Sequence, residues 1–128
     1  MNPIILPAPA TPAREQLEYY RDQKLLNRRL AHNIDMLQHS RYVTGTRMMQ
    51  IDRLVADLAA REAALSPLGN RICIALMRIP DIVDQTAVEL RYLDLLSYDD
   101  VGIELGCSST TARHRIRRAM RYMDPLWP

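Results

Sequence analysis

A chain of 128 residues with 48% hydrophobic and 25% charged side chains has room for one compact domain plus an appendage, but not for two full-sized domains. No apolar run approaches the roughly 20 residues of a membrane span, and the start MNPIILPAPATPA, with four prolines and no basic residue before them, reads as neither signal nor transit peptide. The net charge of +2 hides a division: residues 80–106 carry one arginine against seven acids, and residues 107–128 carry five arginines against Asp124 alone. A concentrated basic segment beside an acidic one points to an oriented anionic partner.

Residues 1–11 are expected to form a disordered arm. After them the chain reads as all-α, with no Phe and no alternating segment long enough for a strand. Thr11-Pro12 is a cap followed by a proline at the first helical position, which starts a helix running to about His39. Its stripe is Leu17, Tyr20, Leu26, Leu30, Ile34 and Leu37. Ser40 to Gly45 is the expected break. A second helix, Thr46 to Leu65, follows with Met48, Ile51, Leu54, Val55, Leu58 and Leu65 on one stripe. Long helices with a short connection pair antiparallel, so residues 12–65 are predicted to form a coiled-coil-like hairpin. The pair carries more apolar surface than it can bury alone. This predicts either a homo-oligomer, dimer or higher, through residues 12–65, or packing on the carboxy-terminal domain.

Ser66-Pro67-Leu68-Gly69 interrupts the pattern and opens the second predicted domain, residues 66–128. Within it a third helix is expected from Leu68 to Ile79. Pro80 is expected to begin a fourth, to about Leu95, with Val83, Ala87, Leu90 and Leu93 inward and Asp81 and Asp84 as acids favouring the helix dipole.

Ser97-Tyr98-Asp99-Asp100 is a capping sequence in which the serine oxygen takes an amide of the first turn and the acids favour the positive helix end. It starts a short helix, about Tyr98 to Leu105, which ends at Gly106, where a left-handed residue fits. Cys107 plugs the turn and Ser108 caps the next helix, residues 108–123. A short capped helix, a glycine turn and a second capped helix within about 25 residues form the helix-turn-helix that presents a recognition helix to the DNA major groove.

The second helix divides cleanly at about 100° per residue. Ala112, Ile116, Ala119, Met120 and Met123 fall within about 100° of arc, while Thr110, His114, Arg117 and Arg121 centre about 150° away on the opposite side. Arg113 and Arg118 flank that outer face, and no acid interrupts it before Asp124. Like charges three and four residues apart repel by a few tenths of a kcal/mol per pair, a cost that phosphate neutralisation offsets. The competing explanation is that acids from residues 80–106 pair with some of these arginines.

The stretches Leu90-Arg91-Tyr92, Leu96-Ser97-Tyr98-Asp99-Asp100-Val101, Leu105-Gly106-Cys107-Ser108 and Thr111-Ala112-Arg113-His114-Arg115-Ile116 resemble region four of bacterial sigma factors, most closely the extracytoplasmic-function type. The resemblance covers about 45 residues and implies duplex DNA as partner, with possible contact to RNA polymerase. It implies that Ser108, Ser109, Thr110, Arg113, His114 and Arg117 face the groove and that Arg115, Arg118 and Arg121 lie near phosphates. Arg115, at the edge of the face, is also placed to brace the turn or pair with an acid such as Asp99.

Nothing resembles sigma region two. A helical hairpin followed by a small sigma-like half is similar in layout to phage and prophage late regulators of the ArpU/RinA type. The expected function is therefore a sequence-specific transcription regulator in the bacterial host cytoplasm. The alternatives are a phage small terminase subunit or a polymerase-binding sigma mimic.

Other chemistry is not expected. His32, His39 and His114 share no metal spacing, and Cys73 and Cys107, 34 residues apart, suit neither a metal knuckle nor a disulfide framework. Both thiols are expected buried, in a reducing compartment. No phosphate loop or nucleophile motif is present, so the reading is a non-enzyme without metal or cofactor. Trp127 is expected to anchor the carboxy terminus.

Overall fold

The computed structural model describes residues 12–41 and 44–126, and the expectations for the arm, for the Thr11 cap and for Trp127 fall outside them. Every regular element among the described residues is helical. Helix α1 (Pro12–Gln38) and helix α2 (Gly45–Leu76) pack as an antiparallel hairpin. Thr44 caps α2, its hydroxyl accepting the Arg47 amide at 3.1 Å. Between the two helices the Lys24 ammonium meets Glu62 Oε2 at 2.6 Å, and the buried Asn27 donates to Glu62 Oε1 at 3.1 Å. These bonds, Lys24's first, hold the Glu62 carboxyl below its ordinary range against the opposing effect of burial.

The expected break at Ser66–Gly69 does not occur. Helix α2 runs through Pro67, although a proline inside a helix removes one backbone bond and costs about 3 kcal/mol. Side chains buried on both sides offset that cost: Leu65 before it, and Ile72, Ala75 and Leu76 after it. Pro67 itself lies exposed on the outer side, and Tyr20 packs closely over Gly69 on the inner side. The separate third helix of the sequence reading is thus the end of α2, and the expected boundary at residues 65/66 falls within that helix.

Pro80 precedes the next helix rather than beginning it. Asp81 is the cap, its Oδ1 accepting the Val83 and Asp84 amides at 2.8 and 3.0 Å, and α3 spans Ile82–Val88. A wide π turn follows over Glu89–Leu93, closed by the Asp94 amide on the Glu89 carbonyl at 2.9 Å. Leu95 then takes a left-handed φ of 65°, which costs a non-glycine residue about 1 kcal/mol. The guanidinium of Arg21 on α1 supports this corner by donating to the Arg91, Leu95 and Leu96 carbonyls at 3.2–3.4 Å.

Helices α4 (Tyr98–Leu105) and α5 (Ser109–Met123) complete the fold, with a single 3-10 turn over Asp124–Leu126. One core joins the two halves of the chain. Ala13 and Leu17 from the start of α1 and Ile72, Ala75 and Leu76 from the end of α2 pack with Ala87, Val88, Tyr92, Val101 and the inner face of α5. Polar ties follow the same seam: Tyr92 donates to Glu18 at 2.9 Å, and the Ala13 amide donates to Asp124 at 3.3 Å. Asp124, the one acid of the basic segment, thereby accepts an amide at the amino end of α1.

Some side chains depart from the expected stripes. Leu26, Met48 and Val55 are 45%, 57% and 43% exposed, while Asn27 is buried in the hairpin. Val83 and Cys73 also lie on the outside rather than within, and Cys107 is half-buried. The hairpin therefore packs on the carboxy-terminal core at one end and leaves apolar surface uncovered along its length.

Candidate nucleic-acid interface

The turn between α4 and α5 is built from four local choices. The Ser97 hydroxyl accepts the Asp100 amide at 3.2 Å and starts α4. Gly106 ends it with φ 70°, where a side chain would be strained. The Cys107 amide returns to the Gly102 carbonyl at 2.8 Å. Ser108 then caps α5, its hydroxyl accepting the Thr111 amide at 3.1 Å and donating to the Thr111 hydroxyl at 3.0 Å. A fifth element escaped the sequence reading. A Cβ on Gly102 would sit 2.6 Å from the Cys107 carbonyl oxygen, so α4 and the turn approach each other closer than any other residue allows.

Helix α5 sits on this scaffold with its expected inner stripe. Ala112, Ile116, Ala119, Met120 and Met123 are all buried. Thr110, Thr111, Arg113, His114, Arg117, Arg118 and Arg121 are exposed, and Ser109 is half-buried. His114, Arg115, Arg117, Arg118, Arg121 and Thr111 line one shallow surface depression.

The arginines fall into three groups. Arg118 grips Asp84 of α3 through two bonds, Nε to Oδ2 at 2.7 Å and Nη2 to Oδ1 at 2.9 Å, and Arg115 adds a third at 3.1 Å. Asp84 is only 1% exposed, and the Arg118 bond, ahead of the opposing effect of burial, holds its carboxyl below the ordinary range. Asp84 is thus more than a first-turn acid favouring the α3 dipole. Arg115 pairs with Asp84 and lies 3.9 Å from Asp81, rather than meeting Asp99.

Arg113 forms the second group, stacked over the Tyr98 ring at 4.5 Å from its centre, a ring that also carries Arg91 at 3.9 Å. Arg117 and Arg121 form the third, with no ion pair among the described residues. Of the sites named from the sequence, the structure therefore gathers Thr110, Arg113, His114, Arg117 and Arg121 on one open cationic face. It commits Arg115 and Arg118 to holding α5 against α3, and Ser108 to the cap. Tyr98, Asp84 and Gly102 support the site without having been singled out for it.

Helices α3 to α5 are a helix-turn-helix domain of sigma region four type: residues 82–123 match the family model described as Sigma-70, region 4. Sigma region four is a DNA-binding domain. The match leaves α1 and α2 outside it. No curated protein and no solved structure matches the chain. No helix among the described residues is long and apolar enough to cross a membrane.

Proposed function

We propose that this protein is a sequence-specific transcription regulator that binds duplex DNA and reads the major groove with α5. One observation carries the reading: the open face of α5 presents Arg113, Arg117 and Arg121 without an acid partner, behind a capped glycine turn. In this reading Ser109, Thr110, Arg113, His114 and Arg117 approach base edges and nearby phosphates, and Arg121 takes a phosphate. Arg115 and Arg118 set the angle of α5 through Asp84 and add positive potential from the rim.

The finer assignments rest on layout. A helical hairpin joined to a small sigma-like half favours a phage or prophage regulator of the ArpU/RinA type, acting in the bacterial cytoplasm. The uncovered apolar side chains of the hairpin, among them Leu26, Met36, Met48 and Met49, favour self-association through residues 12–65. Contact with RNA polymerase is compatible with the region four domain.

The test is selection of bound sequences from a random duplex pool, followed by salt titration on the selected site. Paired half-sites are expected, with affinity falling steeply as salt rises, by about 0.9 in log–log slope per phosphate contact. Arg117→Ala combined with Arg121→Ala is expected to abolish binding with helicity unchanged. Binding by that variant at wild-type strength would refute the assigned face, and a ring of about eight to twelve copies by mass would favour a terminase instead.

A further inference from the structure

Arg113 differs from every other arginine on α5. Arg115 and Arg118 are oriented, but by a carboxylate that engages one donor of Arg115 and two of Arg118 and offsets their charge. Arg117 and Arg121 have free donors, but no hydrogen bond, ion pair or ring contact orients them among the described residues. Arg113 has both properties: its guanidinium lies over the Tyr98 ring at 4.5 Å, and its N–H groups meet no acceptor among the described residues.

The ring beneath it is itself immobilised. Tyr98 is half-buried and packs against the domain core. Arg91 also lies over that ring at 3.9 Å, and its Nη1 is tied to the Leu96 carbonyl at 3.1 Å. Two guanidiniums drawn to one ring would otherwise repel, and the electron-rich face of the aromatic offsets that repulsion. A guanidinium held against a fixed ring has less rotamer freedom left to lose on binding.

We propose that Tyr98 is a positioning residue for DNA binding, holding Arg113 in the orientation from which its guanidinium takes a backbone phosphate of duplex DNA. The inference rests on the DNA-binding reading above and adds to it the device that orients one contact. Tyr98 touches no DNA in this assignment and acts through Arg113.

The experiment is a double-mutant cycle on a mixed-sequence duplex, read by fluorescence anisotropy across a salt series, with Tyr98→Phe, Tyr98→Leu, Arg113→Ala and the Leu/Ala pair. Phenylalanine keeps the aromatic face, so Tyr98→Phe is expected to bind within about twofold of wild type. Tyr98→Leu is expected to weaken binding about fivefold, the equivalent of roughly 1 kcal/mol for a stacked cation. Arg113→Ala is expected to weaken it further and to make the log–log salt slope shallower by about 0.9. In the Arg113→Ala background, Tyr98→Leu is expected to add nothing.

Independent losses from the two substitutions, or an unchanged slope in Arg113→Ala, overturn the proposal while wild-type binding leaves the DNA reading standing. Wild-type protein that binds no duplex overturns both. Should Tyr98→Leu fail to fold, the Arg113 Nε–H resonance decides. An upfield ring-current shift in wild type, kept in Tyr98→Phe, supports the stacked geometry, and a random-coil position overturns it.

Discussion

Asp84 ties α5 to the rest of the domain, and its replacement by asparagine tests how strongly. The carboxylate is 1% exposed and accepts three charge-assisted bonds of 2.7–3.1 Å. Such bonds are worth about 1.5–3 kcal/mol each net of the water they replace, and a carboxylate removed from water without partners costs several kcal/mol. Breaking a fully buried pair costs about 3–5 kcal/mol because the surviving charge is stranded. Here the surviving groups are partly exposed, so they regain water when the carboxylate is gone. Asp84→Asn keeps the volume but points an amide donor at donors, and the expected loss is about 2 kcal/mol at neutral pH.

The loss has a definite pH dependence. A carboxyl whose folded pKa is depressed contributes stability above its unfolded value, near 3.9, and that contribution disappears as pH falls through the lower folded value. Urea unfolding followed by helical circular dichroism is therefore expected to separate wild type from Asp84→Asn most widely at about pH 7. The two curves are expected to converge once pH has fallen below the depressed folded value. Equal midpoints at neutral pH would refute the anchoring role, and a gap undiminished in acid would show that the lost contribution is not ionic.

Three further outcomes follow from the same geometry. Gly102→Ala forces a methyl group against the Cys107 carbonyl, which is backbone and cannot swing aside; a loss of about 1–3 kcal/mol is expected in urea unfolding. Pro67→Ala restores a backbone bond on an exposed helical position and is expected to raise stability by about 1–2 kcal/mol, the gain reduced by the greater freedom of the unfolded chain. A loss of stability there would show that the proline's packing or its restriction of the unfolded chain outweighs the missing backbone bond. Arg21→Ala removes three carbonyl contacts at the Leu95 corner, with an expected cost of about 1 kcal/mol and faster amide exchange at residues 94–96.

The helix-turn-helix was legible because its signals are local. Ser97, Gly106 and Ser108 act within four residues of themselves, through caps and one left-handed φ, and a 3.6-residue period alone separates the inner from the outer side of α5. The resemblance to sigma region four then carried the candidate contacts onto named positions. What short-range signals could not supply was the partner of each charge. A sequence shows five arginines and seven acids, but only the packing of α3 across α5 decides that Asp84 takes Arg115 and Arg118 and leaves Arg113, Arg117 and Arg121 open.

The same division accounts for the departures elsewhere. Pro67 and Gly69 are strong local signals for a break, and they were overridden because burial of Leu65, Ile72, Ala75 and Leu76 against α1 and the carboxy-terminal core outweighs a proline's cost. The hairpin stripes were read with one partner surface in mind, whereas α1 and α2 meet each other along their length and the domain core only at one end. By itself the sequence determined the all-helical class, the capped turn and the polarity of α5, since each depends on neighbours a few residues away. The tertiary structure alone decided where the hairpin ends, which arginines are spent on Asp84 and which ring holds Arg113, because those depend on contacts between residues far apart in the chain.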